Sequence, residues 1–190
     1  MSIAAPNMTT RELLALPDDG IQRELIRGNL RERDMTRRNR LHAGTESLIV
    51  HALLGWLDQN PDFSAGVLSG EAGAILAQSP DTTVGIDVAL FDSAVLANQS
   101  DHSALVVGVP LLAVEILSPT DKHEEVHEKI DEYLRVGTRL VWEVDPDFQT
   151  IRVFQPGHEP IMVNRNQRID GSDVLPGFDV PVGTLFPNWK

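Results

Sequence analysis

Apolar side chains recur at Leu41, Leu48, Ile49, Ala52, Leu53 and Trp56, the spacing of one face of a helix running from Asn39 to about Gln59. Asn60-Pro61-Asp62 ends it. A second helical period, Val126, Ile130, Tyr133 and Leu134, follows Ser118-Pro119 and stops at Gly137, a residue suited to a left-handed cap. Asp121 with Glu124 three residues later predicts a capping box at its start. Shorter apolar runs around Gly66–Ala77, Thr83–Phe91 and Leu111–Leu117 predict strands, with a polar loop near 92–108. "RLVWEVD" (139–145) reads as a buried strand, and "QTIRVFQP" and "PIMVNRN" as later ones. Near the start, "TTRELLAL" predicts a short helix capped by Thr9 or Thr10 and stopped by "PDDG". "RELIRGNLRER" predicts a hairpin with Arg27-Gly28-Asn29 as its turn.

Strand, helix and strand between residues 111 and 145 have the form of a right-handed crossover, so the sheet is at least partly parallel. The expected architecture is α/β: a central mixed sheet flanked by helices, with an N-terminal β-hairpin. One domain is expected over residues 1–190, with an arm and short helix in 1–20 and an irregular tail in 170–190, where prolines and glycines are frequent. That tail is expected to wrap across the body.

One position breaks the pattern. Glu115 sits in the otherwise apolar run Leu111–Leu117, where an unpaired charge is too costly to keep. It is protonated, paired with a cation, or bound to a metal. Asp87, in "VGIDVALF", has a comparable setting. On adjacent strands the two acids would offer the hard oxygen ligands that Mg²⁺ (or Mn²⁺) prefers, and the Ile116 carbonyl would add another. A cation held this way polarises a phosphoryl oxygen and lowers the pKa of a bound water. Lys129, at the border of the apolar helix face, is the candidate to orient that water; Lys122, nearer the helix start, is second. The plainer readings are a buried ion pair with an arginine, or a hydrogen-bonded core acid, for Glu115. For Lys129 the plainer reading is a solvated pair with Glu125.

The formal net charge of −12 argues against a broad phosphate-coating surface. Positive charge is nevertheless concentrated at Arg27, Arg31, Arg33, Arg37, Arg38 and Arg40. Of these, Arg31, Arg33, Arg37, Arg38 and Arg40 are candidate nucleic-acid contacts; a charged hairpin edge that resists aggregation is the alternative. No apolar stretch approaches the roughly 20 residues of a membrane helix, no signal peptide is apparent, and no membrane partner is expected. With no cysteine there is neither a disulfide framework nor a thiolate zinc site, and a cytoplasmic location fits.

"HEEVH", His123 to His127, satisfies the H-E-x-x-H pattern of zinc peptidases, with Glu124 as the water-activating acid. Three features oppose that reading: Glu124 serves better as a capping residue, no third ligand follows at helical spacing, and the motif lies at a helix start. Trp142 reads as core, and Asp145-Pro146-Asp147 as a turn.

The order "GIDVALF … PLLAVEILSPTDKHEEVHEKIDEYLRVGTRLVWEVDP … VLPGF" resembles the bacterial Uma family (Uma-two), of the restriction-endonuclease-like fold and the PD-(D/E)xK nuclease superfamily, over roughly residues 8–187. The resemblance implies a Mg²⁺-dependent endonuclease acting on DNA, expected to be a homodimer because cutting both strands needs two sites. Asp87 matches the first metal-binding acid and Glu115 the second. Lys129 matches a lysine moved from the strand to the following helix. Glu24 matches a further acid, and His42 a histidine opening the long helix, with Lys122 as possible support. The superfamily's usual lysine position is here Leu117, and the proline usual before the first acid is Ile86. A non-catalytic nucleic-acid- or protein-binding module retaining the fold is the alternative.

Overall fold

The computed structural model of the chain describes residues 7–34, 39–119 and 121–189. Its elements are α1 (Thr10–Leu13), β1 (Ile21–Ile26), β2 (Asn29–Asp34), α2 (Arg40–Gln59), β3 (Ala65–Ala77), β4 (Thr82–Asp92), α3 (Ser93–Ala97), β5 (Val106–Val107), β6 (Leu112–Ile116), α4 (His123–Val136), β7 (Leu140–Asp145), β8 (Thr150–Phe154), β9 (Ile161–Asn164), β10 (Arg168–Asp170) and β11 (Asp179–Pro181), then a 3₁₀ turn at Val182–Leu185. Both long helices stand where the apolar periods place them. α2 is capped by Asn39, which accepts from the His42 N–H, and α4 ends on Gly137 at φ +106°. At α1, Thr9 and Glu12 form the capping box.

Four local expectations are corrected. The hairpin turn is Arg27-Gly28 alone, both residues at positive φ, and Asn29 already pairs with Ile26, as the twist of a two-residue loop requires. Asp121 does not cap α4. Its carboxylate accepts from the Ser118 N–H at 2.8 Å, tying the preceding loop, and Lys122 holds the cap position without a side-chain capping bond. The segment 92–108 contains α3, capped by Asp92, and β5, which pairs in parallel with β3. The tail is more regular than its prolines imply: β10 and β11 pair antiparallel, and Val174, Leu175, Phe178, Val182, Leu185 and Phe186 enter the core.

β2, β1, β4, β6, β7, β8 and β9 run side by side in that order, and β3 pairs with β4. β6 and β7 are parallel; β4 with β6, and β7 with β8, are antiparallel. The sheet is therefore mixed. α2 packs with Val88, Leu90, Leu112, Val114, Ile116 and Trp142 on one side; Val126, Ile130 and Tyr133 of α4 pack with Ala89, Phe91, Ala113 and Val141 on the other. Phe178 of the tail lies 6.3 Å from Trp56 and 5.6 Å from Trp142. Its burial fastens the tail over the α2 side at a gain of about 2 kcal/mol. Among the described residues no helix is long and apolar enough to cross a membrane.

β4 organises the site. Thr83 pairs with both Leu25 of β1 and Ile75 of β3, while Val88, Ala89 and Leu90 pair with both β3 and β6. β1 and β6 therefore share one edge of β4, at opposite ends of the strand, and between them the edge opens into a fork. Opposite the fork, Gly70 and Glu71 of β3 face the single residue Asp87, a β-bulge.

A buried carboxylate away from the fork holds the hairpin to α4. Glu132 is 1% exposed, pairs with Arg27 of the turn and with Arg135 at 2.7 Å, and accepts from Thr82 at 3.2 Å. Burial opposes its ionisation, but Arg135 and Arg27 outweigh that and hold its pKa below the ordinary value. This stabilisation is complete above the unfolded carboxylate pKa and disappears as pH falls through the lower folded value. Glu132→Gln should accordingly cost about 1–3 kcal/mol at pH 7, with the deficit narrowing below about pH 4.5. Urea denaturation at the two pH values checks it; a deficit independent of pH would contradict the pairing.

Candidate active site

Glu115 is explained by alternation. Along β6, Leu112, Val114 and Ile116 join the α2-side core and Ala113 joins the α4-side core, so Glu115 falls on the α4 side. There it meets Lys129, which stands one turn before Tyr133 on the buried stripe of α4. The Lys129 ammonium is 3.1 Å from each Glu115 oxygen, 3.0 Å from Glu24 Oε1 and 2.6 Å from the Gly85 carbonyl. Glu24, from β1, also accepts from the Gly85 N–H at 3.0 Å. The main-chain groups of Gly85 that the fork leaves without a strand partner are thus satisfied by two side chains. At the β6 end the Ile116 N–H is satisfied the same way, donating to Asp87 Oδ2 at 2.7 Å.

Three supports surround this pair. Tyr133 donates to Glu115 Oε1 at 2.5 Å. Arg33 of β2 reaches Glu24 at 3.3 Å and Asp121 at 3.5 Å. His42, fully buried at the start of α2, places Nε2 3.3 Å from Asp87 Oδ1 without hydrogen-bond geometry. Burial pushes the Glu115 carboxyl up to about 7; Lys129 pulls it down and Asp87 adds to the rise. Burial opposes the Lys129 charge, yet Glu115, Glu24 and Asp87 together hold its pKa above the ordinary value. Burial, then the neighbouring Glu115 charge, lifts the Tyr133 hydroxyl well above its usual pKa, so it stays a donor. Glu24 is also driven up by burial, but Lys129 and Arg33 bring its net shift below the ordinary value.

Glu24, Asp87, Glu115, Ile116 and Lys129 line one cavity of about 20 Å³, room for a single water-sized occupant. Among the described residues no three His, Asp or Glu side chains form a ready metal cage. A cation here would rest on two carboxylates, a main-chain carbonyl and water, a ligand set that suits Mg²⁺.

The other candidates are placed differently. Lys122 is outside the cavity, its side chain 77% exposed and paired with Glu125 at 2.8 Å, because the helix start turns it to solvent. Lys122, not Lys129, makes the surface pair with Glu125. Arg31 and Arg33 line the cavity, Arg31 paired with Glu128 and Arg33 with the acids above; Arg40 is exposed on the first turn of α2. Arg37 and Arg38 lie outside the described residues. His123 and His127 line a separate cavity with Glu143; His127 Nε2 lies 3.4 Å from Glu143 Oε2, and Arg152 reaches both, 3.0 Å from Glu143 and 3.2 Å from His127. Glu124 is exposed and caps nothing. Arg152 already engages the Glu143 carboxylate beside the second histidine, and among the described residues no three such side chains are grouped to hold a metal.

Sequence reasoning missed four participants: Gly85, Glu71, Tyr133 as a donor, and Arg33 as a partner of Glu24. Glu71 also lines the cavity. Its signal was available, since a glycine inside a strand period, here Gly70, marks a bulge. Tyr133 was hidden by its place on an apolar face.

An α/β domain whose mixed sheet opens around buried acids and a lysine is of the restriction-endonuclease-like type. A family model described as "Putative restriction endonuclease" (Uma2) matches residues 10–183, and the chain belongs to that family. Among solved structures it is similar to a protein described as "a putative nuclease belonging to DUF820" from Anabaena variabilis ATCC 29413. The two share 21% identity at a TM-score of 0.77, covering 94% of this chain and 97% of that one. A comparison with curated proteins found no match.

Lys129→Met leaves Glu115 and Glu24 buried without their shared cation and should cost about 3–5 kcal/mol. Lys122→Met should change stability by less than about 0.5 kcal/mol. Equal losses in urea denaturation would contradict the burial of Lys129's charge.

Proposed function

We propose that this protein is a divalent-metal-dependent endonuclease that hydrolyses phosphodiester bonds in DNA, working as a homodimer. The observation that carries the reading is the convergence of Asp87, Glu115 and the Lys129 ammonium on one ion-sized cavity, in a chain whose family is described as above. The donor chemistry fits Mg²⁺ or Mn²⁺. Asp87 and Glu115 present hard oxygens, and a cation between them would offset the burial that raises the Glu115 carboxyl. The Ile116 carbonyl points with its N–H toward the fork, since both groups of an extended residue share an edge.

When bound, the ion would polarise the scissile phosphoryl group and acidify a water. The protein's own groups do the positioning. Tyr133 fixes the Glu115 carboxylate, and His42 stands against the far oxygen of Asp87. Glu24 and the Gly85 carbonyl hold Lys129 facing Glu115. From there its ammonium orients the attacking water or steadies charge building on the phosphoryl oxygens. Glu24 supports the site through Lys129. Arg31 and Arg33, at the cavity wall, are the described basic residues placed to meet the DNA backbone, and Arg40 lies farther along the surface.

A plasmid cleavage assay in Mg²⁺ or Mn²⁺ tests this, run below each variant's own melting transition. Wild type should nick or linearise supercoiled DNA and stop on chelation. Glu115→Gln and Lys129→Ala should each slow cleavage by roughly 100-fold or more. Equal cutting by wild type and Lys129→Ala would remove that residue from the chemistry. In parallel, metal at a hundredfold excess over Kd should stabilise wild type by about 2.7 kcal/mol, a gain that Glu115→Gln loses. Indifference of wild type to both metals would favour a non-catalytic binding module.

A further inference from the structure

Glu71 occupies a backbone conformation that resists it. Its φ is +60°, directly after Gly70 at +78°, so two successive residues of β3 are left-handed. Glycine relieves the first; the second is filled by a residue with a Cβ, which adopts that conformation at a cost glycine would avoid. Such strain at a bulge commonly serves to re-aim a side chain. Here the residue lines the cavity that holds Asp87, Glu115, Glu24 and Lys129, at its border with a neighbouring cavity walled by Gln22 and Gly85. Its carboxylate accepts from Gln22 Nε2 at 2.6 Å. It also lies against Gly85, where an added Cβ would come within 2.6 Å of Glu71 Oε2. Gly85 is the residue whose N–H holds Glu24 and whose carbonyl holds Lys129. A left-handed backbone at Glu71 and a missing side chain at Gly85 thus accommodate one carboxylate.

We propose that Glu71 is a positioning residue of the metal centre: an outer-sphere carboxylate that draws a divalent cation into the fork between Asp87 and Glu115. It adds a further carboxylate to the wall of a cavity where Glu24, Asp87 and Glu115 already face Lys129 and Arg33. The proposal rests on the divalent-ion reading of that cavity and not on cleavage. Groups in this outer position typically govern metal affinity by tenfold or more on removal.

The test uses the full chain, with Mn²⁺ as the probe. Calorimetric titration gives its Kd and thermal melting gives stability. Glu71→Gly should melt at or above the wild-type temperature, because the strain is relieved, while its Mn²⁺ Kd rises about tenfold or more. Glu71→Gln, which keeps the shape and the strained backbone, should show the same loss of affinity, and Glu71→Asp should recover part of it. The proposal is overturned if Glu71→Gly melts lower with unchanged Mn²⁺ affinity, which would make Glu71 a bulge residue only. It is equally overturned if Glu71→Gln binds Mn²⁺ as tightly as wild type, or if wild type binds none. Mn²⁺ binding that depends on Glu115 without any DNA cleavage would sink the endonuclease reading alone, and the Glu71 affinities would still decide this one.

Discussion

The buried contact between Lys129 and Glu115 is the constraint around which the site is arranged. A lysine at 5% exposure and a glutamate at 8% are each expensive to take out of water, and neither is tolerable alone. Their pairing is possible because α4 lies over the sheet where β1 and β6 part along the edge of β4. The open edge leaves the Gly85 amide and carbonyl needing partners, and Glu24 and Lys129 supply them. One ammonium therefore ties a helix and three strands together, and the same gap in hydrogen bonding that must be filled creates the cavity.

The charge balance within that cavity is uneven. Glu24, Asp87 and Glu115 face Lys129 and Arg33, and Glu115 remains raised to about 7 after burial and its neighbours are weighed. A network built only for stability would be better neutralised or replaced by apolar packing. Here three acids face two cations beside a space the size of one small ion. The basic residues of the hairpin are engaged by acids around it: Arg31 pairs with the exposed Glu128 and Arg33 with the buried Glu24.

Much of this was legible in the residues because single side chains carried it. An acid in an apolar run, a second in a similar strand, and a lysine on the border of a helix face are each local signals, and all three meet in the structure. The sheet and long helices followed from periods of two and 3.6 residues. The failures share a cause: they depend on which of several competing partners a group meets once the chain is folded. Asp121 has the spacing of a cap, but the loop N–H of Ser118 competes for its carboxylate. The tail's prolines suggested irregularity, yet β10 and β11 pair with each other and its apolar side chains close the core. Glu71 and Gly85 have meaning only once β3 and β4 are in register. His123 and His127 carry a motif, but β8 brings Arg152 against both His127 and the Glu143 beside it.

Anomalous diffraction from crystals grown with Mn²⁺ tests the central claim most directly. The account predicts one peak within inner-sphere distance of Asp87, Glu115 and the Ile116 carbonyl, with the Lys129 ammonium beside it. A site without a peak at saturating Mn²⁺, or a peak at His123 and His127 instead, would contradict it.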